Sequence, residues 1–198
     1  MEKTLNYYQN NSQSLIVRYD NADMNELHQL LLKYVPENSS IIDIGFGSGR
    51  DLYFLQANNY DIWGIDPTEE FVKNIQMKYP EIKEHFFAGQ LPNIHLDNLP
   101  KKFDALMSVA VFMHLKKSEY EHSVKSISNI CKSNATVIIS FSTGTRDIKD
   151  DRYFEDVDLD YLNAVFKSED FEVKDTIHQQ DSLKRNELKW VTVVYKRS

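Results

Sequence analysis

Between Ser40 and Leu55 the chain reads SIIDIGFGSGRDLYFL, an apolar run that passes through three glycines in five residues straight into a helical pattern. Only a few architectures accept such a junction. The run lacks the alternation of a half-buried strand, so it reads as a strand covered on both faces, the kind found in parallel sheets with helices packed on each side. Glycine weakens strands and helices by about 0.5–1 kcal/mol relative to Ala. The chain has six glycines in 198 residues. Spending three of them here implies a backbone that turns tightly or lies close against something.

The rest of the chain repeats this unit. "RDLYFLQAN" is predicted as a helix, "YDIWGID" as a second strand, and "PTEEFVKNIQMKY" as a second helix with Pro67 near its first turn. "EHFFAG" and "FDALMSVAV" read as the third and fourth strands. Ser118 and Glu121 have capping-box spacing, predicting a helix through about Cys131. "ATVIISFS" is a fifth strand, and "LDYLNAVFK" a helix with a core-facing side. "FEVKDTIHQ" and "KWVTVVYK" close the chain as strands six and seven. The loop joining them is too short for a crossover helix, so that pair should be antiparallel. The expectation is an α/β fold: a Rossmann-like doubly wound sheet of seven strands, mostly parallel with an antiparallel last strand, and helices on both faces.

The first 35 residues look helical. Asp23 and Glu26 have capping-box spacing before "MNELHQLLLKYV", where Met24, Leu27, Leu30, Leu31 and Tyr34 fall at core-facing intervals, and Pro36 stops the helix. No repeat or linker divides residues 1–198, which read as one domain.

Composition excludes some functions. The formal charge of −7 argues against non-specific nucleic-acid binding, which needs a basic footprint. The lone Cys131 makes neither an internal disulfide nor a Cys-rich zinc site, and no metal-ligand set is read. There is no apolar signal core at the N-terminus and no run approaching the ~20 residues of a membrane span. The chain therefore reads as a cytoplasmic protein, without membrane association, with nucleic acid an unfavoured partner and no obligate protein partner.

The glycines stand where an open α/β sheet binds ligands, outside the carboxyl ends of its strands. The order Gly45-Phe46-Gly47-Ser48-Gly49 is neither GxGxxG nor a Walker loop. Asp43 precedes it. Asp66 ends the second strand, seventeen residues beyond Gly49. An acid at that place accepts hydrogen bonds from both hydroxyls of an adenosine ribose. Glycine turn plus strand-end acid reads as a site for an adenosine-containing ligand.

Here the sequence resembles the class I S-adenosylmethionine-dependent methyltransferases. The matching stretches, "IIDIGFGSGRD", "IWGIDPTEEFV", "FFAGQLP", "FDALMSVAVFMHL" and the closing strand pair, run in the family's order from about Asn6 onward. The closest flavour is that of the small bacterial, tellurite-resistance-like methyltransferases. In these, "YYxxN" at the front, "RYF" after the fifth strand and a Trp opening the last strand recur. The resemblance implies S-adenosylmethionine as cofactor and residues 1–35 as an N-terminal helical lid. Gly45, Phe46, Gly47 and Gly49 would face its methionine half and ribose, Asp43 would orient the loop and the amino group, and Asp66 would bind the ribose hydroxyls with Pro67 against the adenine. Gln90, beside Leu91, stands where the family usually has an Asp that accepts from the adenine amino group; a Gln carbonyl can accept the same bond. Ser108 and Val109 would run their backbone along the methionine side.

On the acceptor side, His114 in "VFMHL" is the candidate general base, as its side-chain type titrates near neutrality; the alternative is a histidine that packs over the cofactor. Tyr8, with Tyr7, falls on the lid. Arg146, Arg152, Lys184 and Arg185 lie in two segments that should meet at the carboxyl edge of the sheet, where they would attract an anionic substrate. The cofactor's sulfonium supplies the activated methyl, and the protein need only hold a nucleophile in line and exclude water. Three activities remain open: methyl transfer to a small molecule, methyl transfer to nucleic acid or protein, and cofactor binding without turnover. The Asn/Asp-Pro-Pro-Tyr/Phe tetrad that serves exocyclic base nitrogens or glutamine is replaced by "SVAV".

Overall fold

The computed structural model describes residues 2–94, 99, 102–144, 152–181 and 188–198. Six α-helices and seven strands are described: α1 (Glu2–Asp20), α2 (Asn25–Tyr34), β1 (Ser40–Ile44), α3 (Arg50–Ala57), β2 (Asp61–Asp66), α4 (Glu69–Lys78), β3 (Phe86–Ala88), β4 (Phe103–Val109), α5 (Tyr120–Ile130), β5 (Cys131–Gly144), α6 (Leu159–Ser168), β6 (Phe171–Gln180) and β7 (Leu188–Arg197). The sheet order is β3-β2-β1-β4-β5-β7-β6. Strands β1 to β5 pair in parallel. β7 lies antiparallel between β5 and β6. This is the expected mixed, doubly wound sheet.

Period-two alternation divides the strands' side chains between two cores. Ile42 and Ile44 of β1, Leu106 of β4, and Val137 and Ile139 of β5 pack with α5 and α6 through Tyr120, Val124, Leu162 and Phe166. Ile41, Ala105, Met107 and Ile138 face the other way, onto Leu27 and Leu31 of α2, Leu52 of α3, and Phe71 and Ile75 of α4. All five residues of β1 are buried, as a strand covered on both sides requires.

Local punctuation differs from the sequence reading at three places. Helix α2 is preceded by Met24, which has no side-chain cap, and Asp23 Oδ1 accepts from Asn25 N at 2.9 Å. The Ser118–Glu121 box is replaced by a 3₁₀ turn, Lys117–Glu119, in which Lys116 N donates to Glu119 Oε2 at 2.7 Å. Cys131 caps α5, as expected, but also opens β5, paired with Phe103, so the strand begins ahead of the expected Ala135. Among the described residues no helix is long and apolar enough to cross a membrane.

The chain runs outward from β1 to β2 and β3, then returns to β4 on the other side of β1. That reversal leaves a crevice beyond the carboxyl ends of β1 and β4, the place where such sheets hold ligands.

Candidate active site

The crevice is a cavity of about 1080 Å³. Its floor is the loop after β1. Gly45, Gly47 and Gly49 all take positive φ (+78°, +58° and +81°). At Gly45 a Cβ would also run into Val111 Cγ2. At Gly47 a Cβ would meet only the Tyr19 ring of α1, 3.5 Å away, so it is the positive φ that favours glycine there. Phe46 lines the cavity, but its ring packs downward on Phe86, with centroids 6.3 Å apart.

Two carboxylates flank this loop. Asp66 is 4% exposed at the end of β2. Its Oδ2 accepts from Gly47 N at 2.9 Å and its Oδ1 from Thr68 N at 2.8 Å, so the acid braces the glycine turn and the entry to α4. Burial raises its pKa to about 6 against the pull of those amide bonds. The Thr68 side chain also bonds to Asp66, and the carboxylate keeps lone-pair capacity for an incoming hydroxyl. Asp43, 2% exposed, has no partner for Oδ1. Burial, and then the charges of Asp51 and Asp66, push its carboxyl well above the usual range. A buried, unsatisfied acceptor on the cavity wall is costly unless something donates to it. A ligand ammonium meets that need, so the residues fit an adenosylated amino acid.

Other predicted cofactor residues divide. Pro67, Gln90, Leu91 and Val109 line the cavity, with Gln90 exposed at its rim. Gly49 and Ser108 do not line it. Gly49 instead precedes α3, where a Cβ would strike Ile75 Cδ1. Ser108 is fully buried and its Oγ donates to Ile44 O at 2.9 Å. The Ser108 hydroxyl is thus used within the sheet, and the expectation for this residue concerned its backbone alone.

The opposite end of the cavity is built from segments far apart in sequence. Helix α1 covers it with Thr4, Leu5, Tyr8, Arg18 and Tyr19. A 3₁₀ turn after β4 (Phe112–His114) brings in Met113 and His114, and the segment after β5 brings in Arg152 and Phe154. His114 Nδ1 is 2.7 Å from Tyr153 O, and its Nε2 is 2.9 Å from the Tyr8 hydroxyl. Arg152 sets its guanidinium 4.2 Å from the Tyr7 ring centroid and 5.1 Å from that of Phe154. Trp190 of β7 donates Nε1 to Asp181 Oδ1 at 2.7 Å on the same wall. Arg146, Lys184 and Arg185, the other basic residues expected here, lie outside the described residues.

Sequence reasoning missed Asp51, a buried carboxylate in the first turn of α3. Arg50 grips it at 2.8 Å through Nη2 and His28 Nε2 lies 2.8 Å away. Burial works to raise its pKa, but the bonds from His28 and Arg50 prevail and hold it low. Arg50 Nη1 also donates to Tyr19 O at 2.9 Å, tying the end of α1 to the glycine loop. The Arg50-Asp51 pair immediately after the glycines was the available signal.

Comparison with known proteins agrees with this geometry. Residues 41–134, the stretch from β1 to the start of β5, match the family model described as a methyltransferase domain. An uncharacterised methyltransferase of Schizosaccharomyces pombe is 24% identical over 109 residues, 55% of this chain and 75% of that one. The fold matches a TehB-like S-adenosylmethionine-dependent methyltransferase of Corynebacterium glutamicum with a TM-score of 0.71 at 19% identity, covering 94% of this chain and 98% of that one. It also matches magnesium protoporphyrin IX methyltransferase of Synechocystis with bound S-adenosylhomocysteine, with a TM-score of 0.69 at 15% identity and 98% of both chains covered. An adenosine-type crevice, an unsatisfied carboxylate for an ammonium and this match together make residues 41–134 a methyltransferase domain, in a chain with the fold of S-adenosylmethionine-dependent methyltransferases.

Proposed function

We propose that the methyl acceptor is a small molecule bearing a carboxylate or phosphate, held beneath α1 with its anionic group against Arg152. The observation that carries this reading is the single cavity of about 1080 Å³ that joins the Asp66 end to the Arg152 end. Pockets for small ligands span roughly 300–1,000 Å³, so this space suits a cofactor and one compact acceptor together. The roof formed by Tyr8 and Tyr19 favours an enclosed molecule over a macromolecular surface. A guanidinium grips a planar anion with two parallel hydrogen bonds and so fixes the acceptor for in-line transfer.

The test is transfer of label from methyl-labelled S-adenosylmethionine into a cell metabolite extract, followed by identification of the labelled compound. A labelled carboxylate or phosphate is expected. Label confined to RNA, protein or an uncharged compound refutes the reading. With the compound in hand, Arg152→Ala should raise its KM tenfold or more and leave S-adenosylhomocysteine affinity within about threefold.

A further inference from the structure

The contact between Tyr8 and His114 has chemical direction. A backbone carbonyl only accepts, so the bond to Tyr153 O places a proton on His114 Nδ1. The neutral ring then offers its Nε2 lone pair, and the Tyr8 O–H donates into it at 2.9 Å. Both side chains line the cavity, one from α1 and one from the turn after β4. The ring is held from behind: Tyr153 N donates to Thr4 Oγ1 at 2.9 Å, and Glu155 N donates to Met113 O at 2.7 Å. These bonds fasten the 152–155 segment to α1 and to the His114 turn at once. Such fixing of one imidazole nitrogen sets the tautomer and orients the other nitrogen for work.

We propose that Tyr8 and His114 together take the acceptor's proton during methyl transfer, so that the accepting atom is one that carries a proton: a hydroxyl, thiol or amine. The acceptor's X–H donates to Tyr8 Oη, and the Tyr8 proton passes to His114 Nε2. X–H becomes X–CH₃, the imidazole becomes imidazolium, and the electron pair of the broken methyl–sulfur bond stays on sulfur, which becomes neutral. Tyr153 O stabilises the new cation through Nδ1. Tyr8 is the group that touches the acceptor, and His114 acts through it. Since Tyr8 is on α1, the proton path exists only when that helix covers the cavity. The inference rests on methyl transfer at this site and is independent of the acceptor's anionic group.

Groups around the dyad set its pH response. Tyr19 on α1 and Arg152 lie beside the Tyr8 hydroxyl and favour its ionised form, Asp66 across the cavity disfavours it, and burial is the largest effect and raises it. Behind the ring, Tyr153 keeps its own hydroxyl on Glu155 Oε2 at 2.6 Å.

The experiment compares wild type with Tyr8→Phe, His114→Gln and the double variant. Three readouts are used: calorimetric binding of S-adenosylhomocysteine, transfer of methyl label into metabolite extract across pH, and histidine ¹⁵N NMR of the cofactor-free protein. S-Adenosylhomocysteine affinity should stay within about threefold. Transfer should fall roughly 100-fold or more, the span of a general base. The loss of rate on the acid side should vanish from the residual activity, and the double variant should be no worse than the poorer single. In the NMR, the neutral His114 ring should carry its proton on Nδ1, and Tyr8→Phe should move the Nε2 signal. Transfer retained within threefold in either variant overturns the dyad. So does a transfer loss that tracks lost S-adenosylhomocysteine binding, which would make the contact only a fastening for α1. If Tyr8→Phe does not fold, His114→Gln carries the same readouts. If the extract accepts no label, methyl transfer to a small molecule has failed as a reading and the dyad's part in turnover fails with it, while the NMR still decides the hydrogen bond: a proton on Nε2 refutes it, and one on Nδ1 with Nε2 responding to Tyr8→Phe upholds it.

Discussion

Lowering the pH from 7.5 to 5 should weaken nucleoside binding through one residue, Asp66. Its carboxyl is 4% exposed and titrates at about 6 in place of the ordinary 3.8. Folding therefore favours its protonated form. The stabilisation is present at low pH and is lost as pH rises from about 4 to about 6. With each pH unit of displacement worth ~1.4 kcal/mol, the ionised acid costs the ligand-free fold about 3 kcal/mol at neutral pH. Ribose hydroxyls donate to a carboxylate better than to a carboxylic acid, whose own proton occupies one oxygen. Binding is thus coupled to ionisation. At pH 5 about one molecule in ten has Asp66 ionised, so affinity should be roughly tenfold weaker than at pH 7.5.

The ligand has to isolate this effect from Asp43, whose carboxyl is also raised and faces the same cavity. Adenosine does so, because it lacks the amino-acid half that Asp43 would meet. Calorimetry of adenosine at pH 5, 6 and 7.5 should show the tenfold step in wild type. In Asp66→Asn the step should disappear and affinity at pH 7.5 should fall about 10- to 150-fold, the equivalent of ~1.5–3 kcal/mol for a charged hydrogen-bond acceptor. The same variant should lose the dependence of its unfolding free energy on pH between 4 and 6 that Asp66 supplies. Flat adenosine affinity in wild type, or an unchanged step in Asp66→Asn, would show that Asp66 only braces Gly47 and Thr68.

Gly49→Ala should destabilise the fold by about 1 kcal/mol or more in urea denaturation, because Ala resists φ +81° and strikes Ile75, while S-adenosylhomocysteine affinity stays within about threefold. Gly47→Val should fold, yet give no calorimetric signal with S-adenosylhomocysteine, since its side chain enters the cavity under Tyr19 from a strained φ of +58°; normal binding would contradict the close-approach reading. Phe166→Ala should cost ~3–5 kcal/mol in the same denaturation assay, because the ring is fully buried and stacked 3.9 Å from Tyr195, with no effect on cofactor affinity in the folded fraction.

The β1 strand, its glycine loop and Asp66 were readable because each is a contiguous pattern with one physical cause. An unbroken apolar run needs two covered faces, and an acid at a strand end meets whatever lies beyond the sheet. Where the sequence misled, spacing had been asked to stand for geometry. Asp23 has capping-box spacing, but its oxygen reaches Asn25 N and leaves Met24 to start α2. Ser118 and Glu121 also have capping-box spacing, but a 3₁₀ turn over Lys117–Glu119 leads into α5 instead. Asp51 reads as one more acid in a helix's first turn until the fold brings His28 to it from α2.

The acceptor end has no local pattern at all. Tyr8 meets His114 across 106 positions, and Thr4 meets Tyr153 across 149. Helix α1, the turn after β4 and the 152–155 segment each supply side chains whose meaning arises only when the sheet sets them side by side. In this chain the cofactor end is built from groups at adjacent strand ends, and the acceptor end from these separate segments. Leu15 of α1 and Phe112 of the turn after β4 are core residues, whereas Tyr8, His114 and Arg152 line the cavity beside them. Within these segments chemistry and packing therefore use different side chains. For that reason the variants at Tyr8, His114 and Arg152 should report on turnover with little change in unfolding free energy, whereas those at Gly49 and Phe166 should do the reverse.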